Sequence, residues 1–213
     1  YYCYAFRGML DDPTYGNIST AFETWKNYVV SLGFGYRLGV DMPSEDRGYI
    51  PNSQVYDKVY GKSRWKSLNI VSLSIGQGEV TATPIQIANL AATIANKGYW
   101  YTPHFLKSIE GVDTTIIFEK HNVLIEKQYF DPIIKGMEMA VNATDGGTAR
   151  IARIDSIVVC GKTGTAQNPH GEDHSVFMAF APKENPRIAI AVLVENAGFG
   201  ATWAAPIASL LVE

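Results

Sequence analysis

Apolar residues recur at helical spacing through the earlier part of the chain and gather into near-continuous runs toward its end. Phe22, Trp25, Val29 and Leu32 line one helical face, which predicts an amphipathic helix over residues 20–32, with Ser19 or Thr20 as N-cap and Gly33 as its stop. Before it, Tyr1-Tyr2-Cys3-Tyr4-Ala5-Phe6 reads as the middle of a helix without a cap or polar lead-in, so a chain cut upstream is expected. Gly33, Gly35, Gly39, Pro43, Gly48 and Pro51 make residues 33–52 an irregular surface segment, and the polar, aromatic stretch 53–67 predicts more loop. Ile75-Gly76-Gln77-Gly78-Glu79-Val80-Thr81-Ala82-Thr83-Pro84 predicts a glycine turn entering a helix. Thr83 is its N-cap, Pro84 stands at N1, Ile87, Leu90, Ala91 and Ile94 form its buried stripe, and Gly98 is its C′ residue. A third helix starts at Asp131-Pro132 and runs through Ile133, Ile134, Met137 and Val141 toward Asn142, before a loop at Gly146 and Gly147.

The rest reads as strands over 156–165, 174–181 and 187–195, adjacent and antiparallel, with a closing helix over 203–213. In the last two strands both alternating sets of residues are apolar, and such strands belong to a sheet covered on both sides. The predicted fold class is α+β: an antiparallel sheet with helices on both faces.

Composition narrows the picture. At 213 residues and 46% hydrophobic, the chain has the size of one domain or a large part of one. A net charge of −3 with no basic block argues against a nucleic-acid partner. There is no apolar run of membrane-span length and no signal-peptide pattern. Cys3 and Cys160 sit among apolar residues, so free buried thiols are expected, with a Cys3–Cys160 bridge as the alternative.

Candidate chemistry concentrates in Cys160-Gly161-Lys162-Thr163-Gly164-Thr165-Ala166-Gln167. Lys162 supplies a cation and Thr163 a hydroxyl for an anionic group. Gly164 removes a Cβ where substrate must approach the backbone, and Thr165 can offer its N–H to an oxyanion. A phosphate-binding loop is ruled out because Ser156 stands where its first glycine is needed. The plain alternative is an edge strand ending in a glycine turn, with Lys162 as a solvated charge. His170-Gly171-Glu172-Asp173-His174 lacks helical metal-ligand spacing and reads as a hairpin connection, while His104 and His121 read as surface or packed residues.

Four blocks, in order, carry a resemblance. They are the run 75–86, Gly146-Gly147-Thr148-Ala149, the run 161–167, and Phe177-Met178-Ala179-Phe180-Ala181-Pro182, with Gly39-Val40-Asp41-Met42-Pro43 as a fifth, shorter match. The chain resembles the C-terminal part of the transpeptidase domain of class B penicillin-binding proteins, specifically the elongation type called penicillin-binding protein 2. The resemblance implies that residues 1–213 are the C-terminal portion of that domain, on the fold shared with serine β-lactamases and incomplete in this chain. It implies a D,D-transpeptidase that cross-links peptidoglycan stem peptides through a serine acyl-enzyme, without cofactor or metal.

On that reading Lys162 and Thr165 are catalytic, Thr165 through an oxyanion-hole N–H, while Thr163, Gly164 and Thr165 bind substrate. The nucleophile belongs to a Ser-x-x-Lys motif, with a Ser-x-Asn motif beside it in space, and both are expected upstream of Tyr1. Ser63-Arg64-Trp65-Lys66, followed by Ser67-Leu68-Asn69, imitates the two motifs in a loop-like context and is rejected as the site. Implied partners are stem peptides, β-lactams, a glycosyltransferase of the shape and elongation machinery, and elongation scaffold proteins. The implied location is outside the cytoplasmic membrane, through an N-terminal anchor that this chain lacks. An inert or penicillin-sensing module on the same fold and a serine β-lactamase are the alternatives. The Gly-Gln-Gly block argues against the last.

Overall fold

A computed structural model describes residues 1–62, 64–108, 110 and 118–213. They divide into two units, Tyr1–Arg37 with Asp46–Ala82, and Leu38–Glu45 with Thr83–Glu213.

The first unit is helical. It comprises α1 (Tyr2–Leu10), α2 (Ile18–Ser31), α3 (Ser53–Tyr60) and a 3-10 stretch over Ser67–Ile75. Phe6 and Leu10 of α1 are buried, whereas Tyr1, Tyr2 and Tyr4 face solvent. Phe22 of α2 is the hub. Its ring stacks on Trp25 at 5.4 Å and meets Tyr56 and Trp65 edge-on at 5.4 and 5.8 Å, the geometries aromatic pairs favour.

Two expectations are corrected here. α2 begins earlier than expected because Asn17, not Ser19 or Thr20, is its cap: Asn17 Oδ1 accepts the Thr20 N–H at 2.9 Å. The stretch 53–67 is not loop, since Asn52 caps α3 and both Tyr56 and Trp65 are fully buried. The buried polar tips are satisfied. Trp65 Nε1 donates to Asp57 at 2.8 Å and the Tyr56 hydroxyl donates to Glu79 at 3.0 Å. Ser63 lies outside the described residues. Its neighbours in the imitation motif serve the fold: Ser67 is buried and donates to Asp11 at 2.8 Å, and Asn69 accepts the Lys66 N–H at 2.9 Å.

In the second unit, Thr83 and Gln86 close a reciprocal capping box at the start of α4 (Pro84–Ala95), with bonds of 3.0 and 3.4 Å. Ala91 and Ile94 are buried as expected, but so are the polar Gln86, Asn89 and Thr93. The helix end also differs. Lys97, at φ +56°, takes the left-handed position, and Gly98 follows it with its N–H on the Thr93 carbonyl. A short antiparallel pair, β1 (Tyr99–Tyr101) and β2 (Lys120–Asn122), was not expected from the sequence; Trp100 stacks on His121 across it.

After α5 (Phe130–Asn142) come β3 (Cys160–Ala166), β4 (His174–Ala181), β5 (Ile188–Val194) and α6 (Ala204–Val212). The three strands form one antiparallel sheet in the order β3-β4-β5, as expected. Alternation along β4 divides the core. Phe177, Ala179 and Ala181 pack with Ala204, Ala205 and Ala208 of α6, while Met178 and Phe180 pack with Leu90 and Ile94 of α4 and Ile134 and Met137 of α5. The sheet therefore carries helices on both faces. Its margins depart from expectation. β3 starts at Cys160 rather than 156 because Ile154 and Ile157 bridge each other in a tight turn. β5 is an outer strand, with Ile188 and Leu193 exposed.

Both cysteines are free. Cys3 is only half-buried, which corrects the expectation for it, and Cys160 is fully buried. Burial, reinforced by the Glu138 carboxylate, pushes the Cys160 thiol up to about 12. Iodoacetamide near pH 8 is therefore expected to spare Cys160 in the folded full-length protein and to modify it once denaturant is added. A raised folded-state pKa also sets the sign with alkali. The stabilising effect of keeping this thiol neutral is complete below the unfolded value of about 8.5 and is lost as pH rises toward the folded value. Peptide mass mapping that finds Cys160 alkylated at the unfolded-chain rate would contradict this placement.

Candidate active site

The four residues expected to carry chemistry lie consecutively on β3, the outer strand opposite β5 in the sheet. Gly161 lets this strand lie flush on the core. A Cβ there would run into the Phe177 ring and stand 3.2 Å from Val141. Lys162 pairs with Met178, Thr163 with Phe177, Gly164 with Val176 and Thr165 with Ser175. Alternation then puts Thr163 and Thr165 on one face and Lys162 and Gly164 on the other. The two threonines stand about 7 Å apart at a rise of roughly 3.3 Å per residue. Lys162 is exposed, and its ammonium donates to the Thr163 carbonyl. The strand thus offers one exposed cation and two hydroxyls on a backbone fixed by the ladder. That arrangement suits an extended peptide ending in a carboxylate.

The flanking loops are tied down. After β3, the Asn168 N–H bonds Asp173 at 3.1 Å, and the Asn168 side chain bonds Asn196 at 2.7 Å. His174 Nδ1 accepts the Asn196 N–H at 3.1 Å. Asp173 and His174 thus hold the hairpin connection expected there. Among the described residues no group of three or more His, Cys, Asp or Glu is arranged around a common point. The turn after α5 folds back on that helix, with the Ala149 N–H on the Ala140 carbonyl at 2.8 Å and no room for a side chain at Gly147. Asp41 accepts the Phe105 and Leu106 N–H groups, each at 2.7 Å, and these bonds, that of Leu106 foremost, hold its carboxyl below the usual carboxylate range. Glu45 likewise collects the N–H groups of Leu38, Gly39 and Val40.

Two residues outside the motif also touch this strand pair, and the sequence reading missed both. Ser175, opposite Thr165, is completely buried; it donates to the Phe199 carbonyl at 2.9 Å and accepts the Ala204 N–H at 3.1 Å. Gly200 sits directly against Gly164 and Val176. The available signals were a lone hydroxyl in an apolar strand and a glycine-rich turn just before a helix.

Residues 17–213 match the sequence family described as the penicillin binding protein transpeptidase domain. The chain belongs to the penicillin-binding protein transpeptidase family. The peptidoglycan D,D-transpeptidase MrdA of Acinetobacter baumannii is 35% identical over 198 residues, covering 85% of this chain and 29% of that protein. Among solved structures, Pseudomonas aeruginosa PBP2 in complex with WCK 5153 superposes with a TM-score of 0.78 at 33% identity, covering 92% of this chain and 45% of that one. PBP2 from Helicobacter pylori superposes with a TM-score of 0.76 at 28% identity, over 97% of this chain and 36% of that one; it has also been solved in complex with MreC. The chain thus spans about a third of the length of its curated relative, at 29%. Helices on both faces of an antiparallel sheet are the fold expected of this family, and the four blocks named from the sequence all fall inside the matched region.

Proposed function

We propose that this chain is the C-terminal portion of a peptidoglycan D,D-transpeptidase domain of the penicillin-binding protein 2 type, acting in cell-wall elongation. The observation that carries the reading is Lys162-Thr163-Gly164-Thr165 presented on an outer strand, in a chain whose relatives include proteins named D,D-transpeptidases. A serine from a region N-terminal to Tyr1 attacks the carbonyl of the penultimate D-Ala. The C–N bond breaks, the terminal D-Ala leaves as its amine with a proton, and an ester to the serine remains. The amine of a second stem peptide attacks that ester, forms the new amide and returns the serine.

In this scheme Thr163 and Thr165 receive the terminal carboxylate on their shared face, and Gly164 admits the peptide to the backbone. The Thr165 N–H donates to the oxyanion, and Lys162 supplies positive potential. A β-lactam enters by the same route because its carboxylate and strained amide stand in for the peptide terminus. The MreC complex of the Helicobacter pylori protein supports a partner from the shape machinery; a glycosyltransferase beside it is proposed on the family resemblance alone. Action outside the cytoplasmic membrane follows from where such a substrate lies. No helix among the described residues is long and apolar enough to cross a membrane.

The test is labelling of the full-length protein with a fluorescent penicillin, followed by intact mass and peptide mapping. A long-lived adduct on a serine upstream of Tyr1 is expected, and none on the 213-residue chain alone. An adduct that hydrolyses within seconds would indicate a β-lactamase. No adduct at all would indicate an inert module, and one on Ser63 would overturn the assignment of the nucleophile.

A further inference from the structure

We propose that Gly200 is a positioning residue for the active-site strand, setting the direction of the Thr165 N–H through the Gly164–Thr165 peptide plane. The proposal rests on the transpeptidase reading above.

An ideal Cβ on Gly200 would fall inside the van der Waals shells of both the Val176 and Gly164 carbonyl oxygens and would stand 3.1 Å from Gly164 N. Gly164 and Val176 are partners in the β3–β4 ladder. A point that close to all three atoms lies over the gap between the two strands, so the Gly164 carbonyl is turned toward β4. A trans peptide unit is rigid and holds its C=O and N–H antiparallel. The Thr165 N–H therefore points away from β4, along the open edge of β3, between the face that carries the threonines and the face that carries Lys162. Gly200 is in contact with the opposite end of that same rigid plane.

The turn that carries Gly200 is itself fixed at several points. The Ala197 and Gly198 N–H groups both bond the Asp173 carbonyl, at 2.9 and 2.7 Å, and Ser175 Oγ joins Phe199 O to Ala204 N. Gly200 O accepts the Ala205 N–H at 3.0 Å, which ties the turn to the start of α6. With the turn held at both ends, a methyl group at residue 200 has one place to push, and that is the Gly164–Val176 pair. The sequence motif specifies which residues stand on β3; this turn fixes where their backbone stands.

The experiment compares the full-length wild type with Gly200→Ala and Gly136→Ala, the latter in α5 with open space where its Cβ would stand. Binding and acylation by a fluorescent penicillin are separated by varying its concentration. Gly200→Ala is expected to lower the acylation rate constant by about ten- to a hundred-fold, the scale of an ångström-sized misplacement, with the preceding binding constant changed far less. Gly136→Ala is expected to stay within about two-fold of wild type. A Gly200→Ala protein that labels a smaller fraction of molecules at the wild-type rate has only lost folded protein, and that result overturns the proposal. Wild-type labelling in rate and extent overturns it as well. If Gly200→Ala does not fold, Ser175→Ala applies the same test by freeing the turn without adding bulk, with a fall in the acylation constant expected and an unchanged constant overturning the idea. A wild type that forms no adduct fails at the earlier step, since it removes the transpeptidase reading itself.

Discussion

Lys162→Ala in the full-length protein is expected to slow acylation by penicillin ten-fold or more, equivalent to about 1.4 kcal/mol or above in the barrier. The Lys162 side chain is exposed on β3 with its ammonium on the Thr163 carbonyl, so only side-chain rotation separates it from a bound anion on that strand. Its charge favours the carboxylate of the incoming ligand. On the proposed mechanism it also favours the neutral form of the lysine of the Ser-x-x-Lys motif that the family resemblance implies, as the base for the serine proton. Losing one cation removes both effects. The measurement is the second-order rate of fluorescent penicillin labelling, taken at low and high salt because an exposed charge is screened. A mutant labelled at the wild-type rate would reduce Lys162 to a solvating charge on an edge strand.

Trp65→Ala is expected to destabilise the first unit by roughly 3–5 kcal/mol, the range for truncating a buried aromatic. Trp65 is fully buried against Phe22 and Tyr56, and its indole N–H is bonded to Asp57. Trp65→Phe keeps much of the contact and loses the hydrogen bond, so its expected cost is smaller, about 1 kcal/mol for the bond plus that of the missing ring. Urea unfolding of the full-length protein, followed by probes in this region, gives both values. A Trp65→Ala loss below that of Trp65→Phe would show that Trp65 is not part of the core.

Trp65 also belongs to a part of the fold that the sequence encodes only weakly. The stretch 53–67 carries only a two-turn helical signal, Val55 with Val59 and Tyr56 with Tyr60 behind Asn52, and Val59 and Tyr60 are exposed; its two core residues are Tyr56 on that short helix and Trp65 beyond it, and both close on Phe22 of α2. A local pattern cannot report a contact made by a distant segment. Where the determinant was local, the reading held. Thr83 and Pro84 encode the cap and the first helical position side by side, and the structure has both there, with Gln86 completing a capping box. The strand 174–181 was found at its true limits because each of its faces meets a helix and both alternating sets are apolar.

The start of α2 was misplaced for a different reason. Asn17, Ser19 and Thr20 are all capable caps, and the choice among them depends on which side chain reaches the third N–H of the helix. The placement of Lys162, Thr163, Gly164 and Thr165 on one strand was legible. Ser175 and Gly200 were not, since a serine or a glycine has no pattern until the turn that touches it is in place.

The β5 strand has a consequence for anyone who handles this chain by itself. One side of β5 is laddered to β4 and the other meets no strand among the described residues, while Ile188 and Leu193 lie open on it. Beyond it, Phe199, Trp203, Leu210 and Leu211 are also exposed. An edge that no strand covers, beside apolar side chains, is a template for another copy of the same strand. In dilute solution such an edge is satisfied by water; at the concentrations of crystallisation or NMR, strand addition between copies competes. The colloidal behaviour of this chain is thus sensitive to this strand margin, and a charged substitution at Leu193 would change solubility without touching β3.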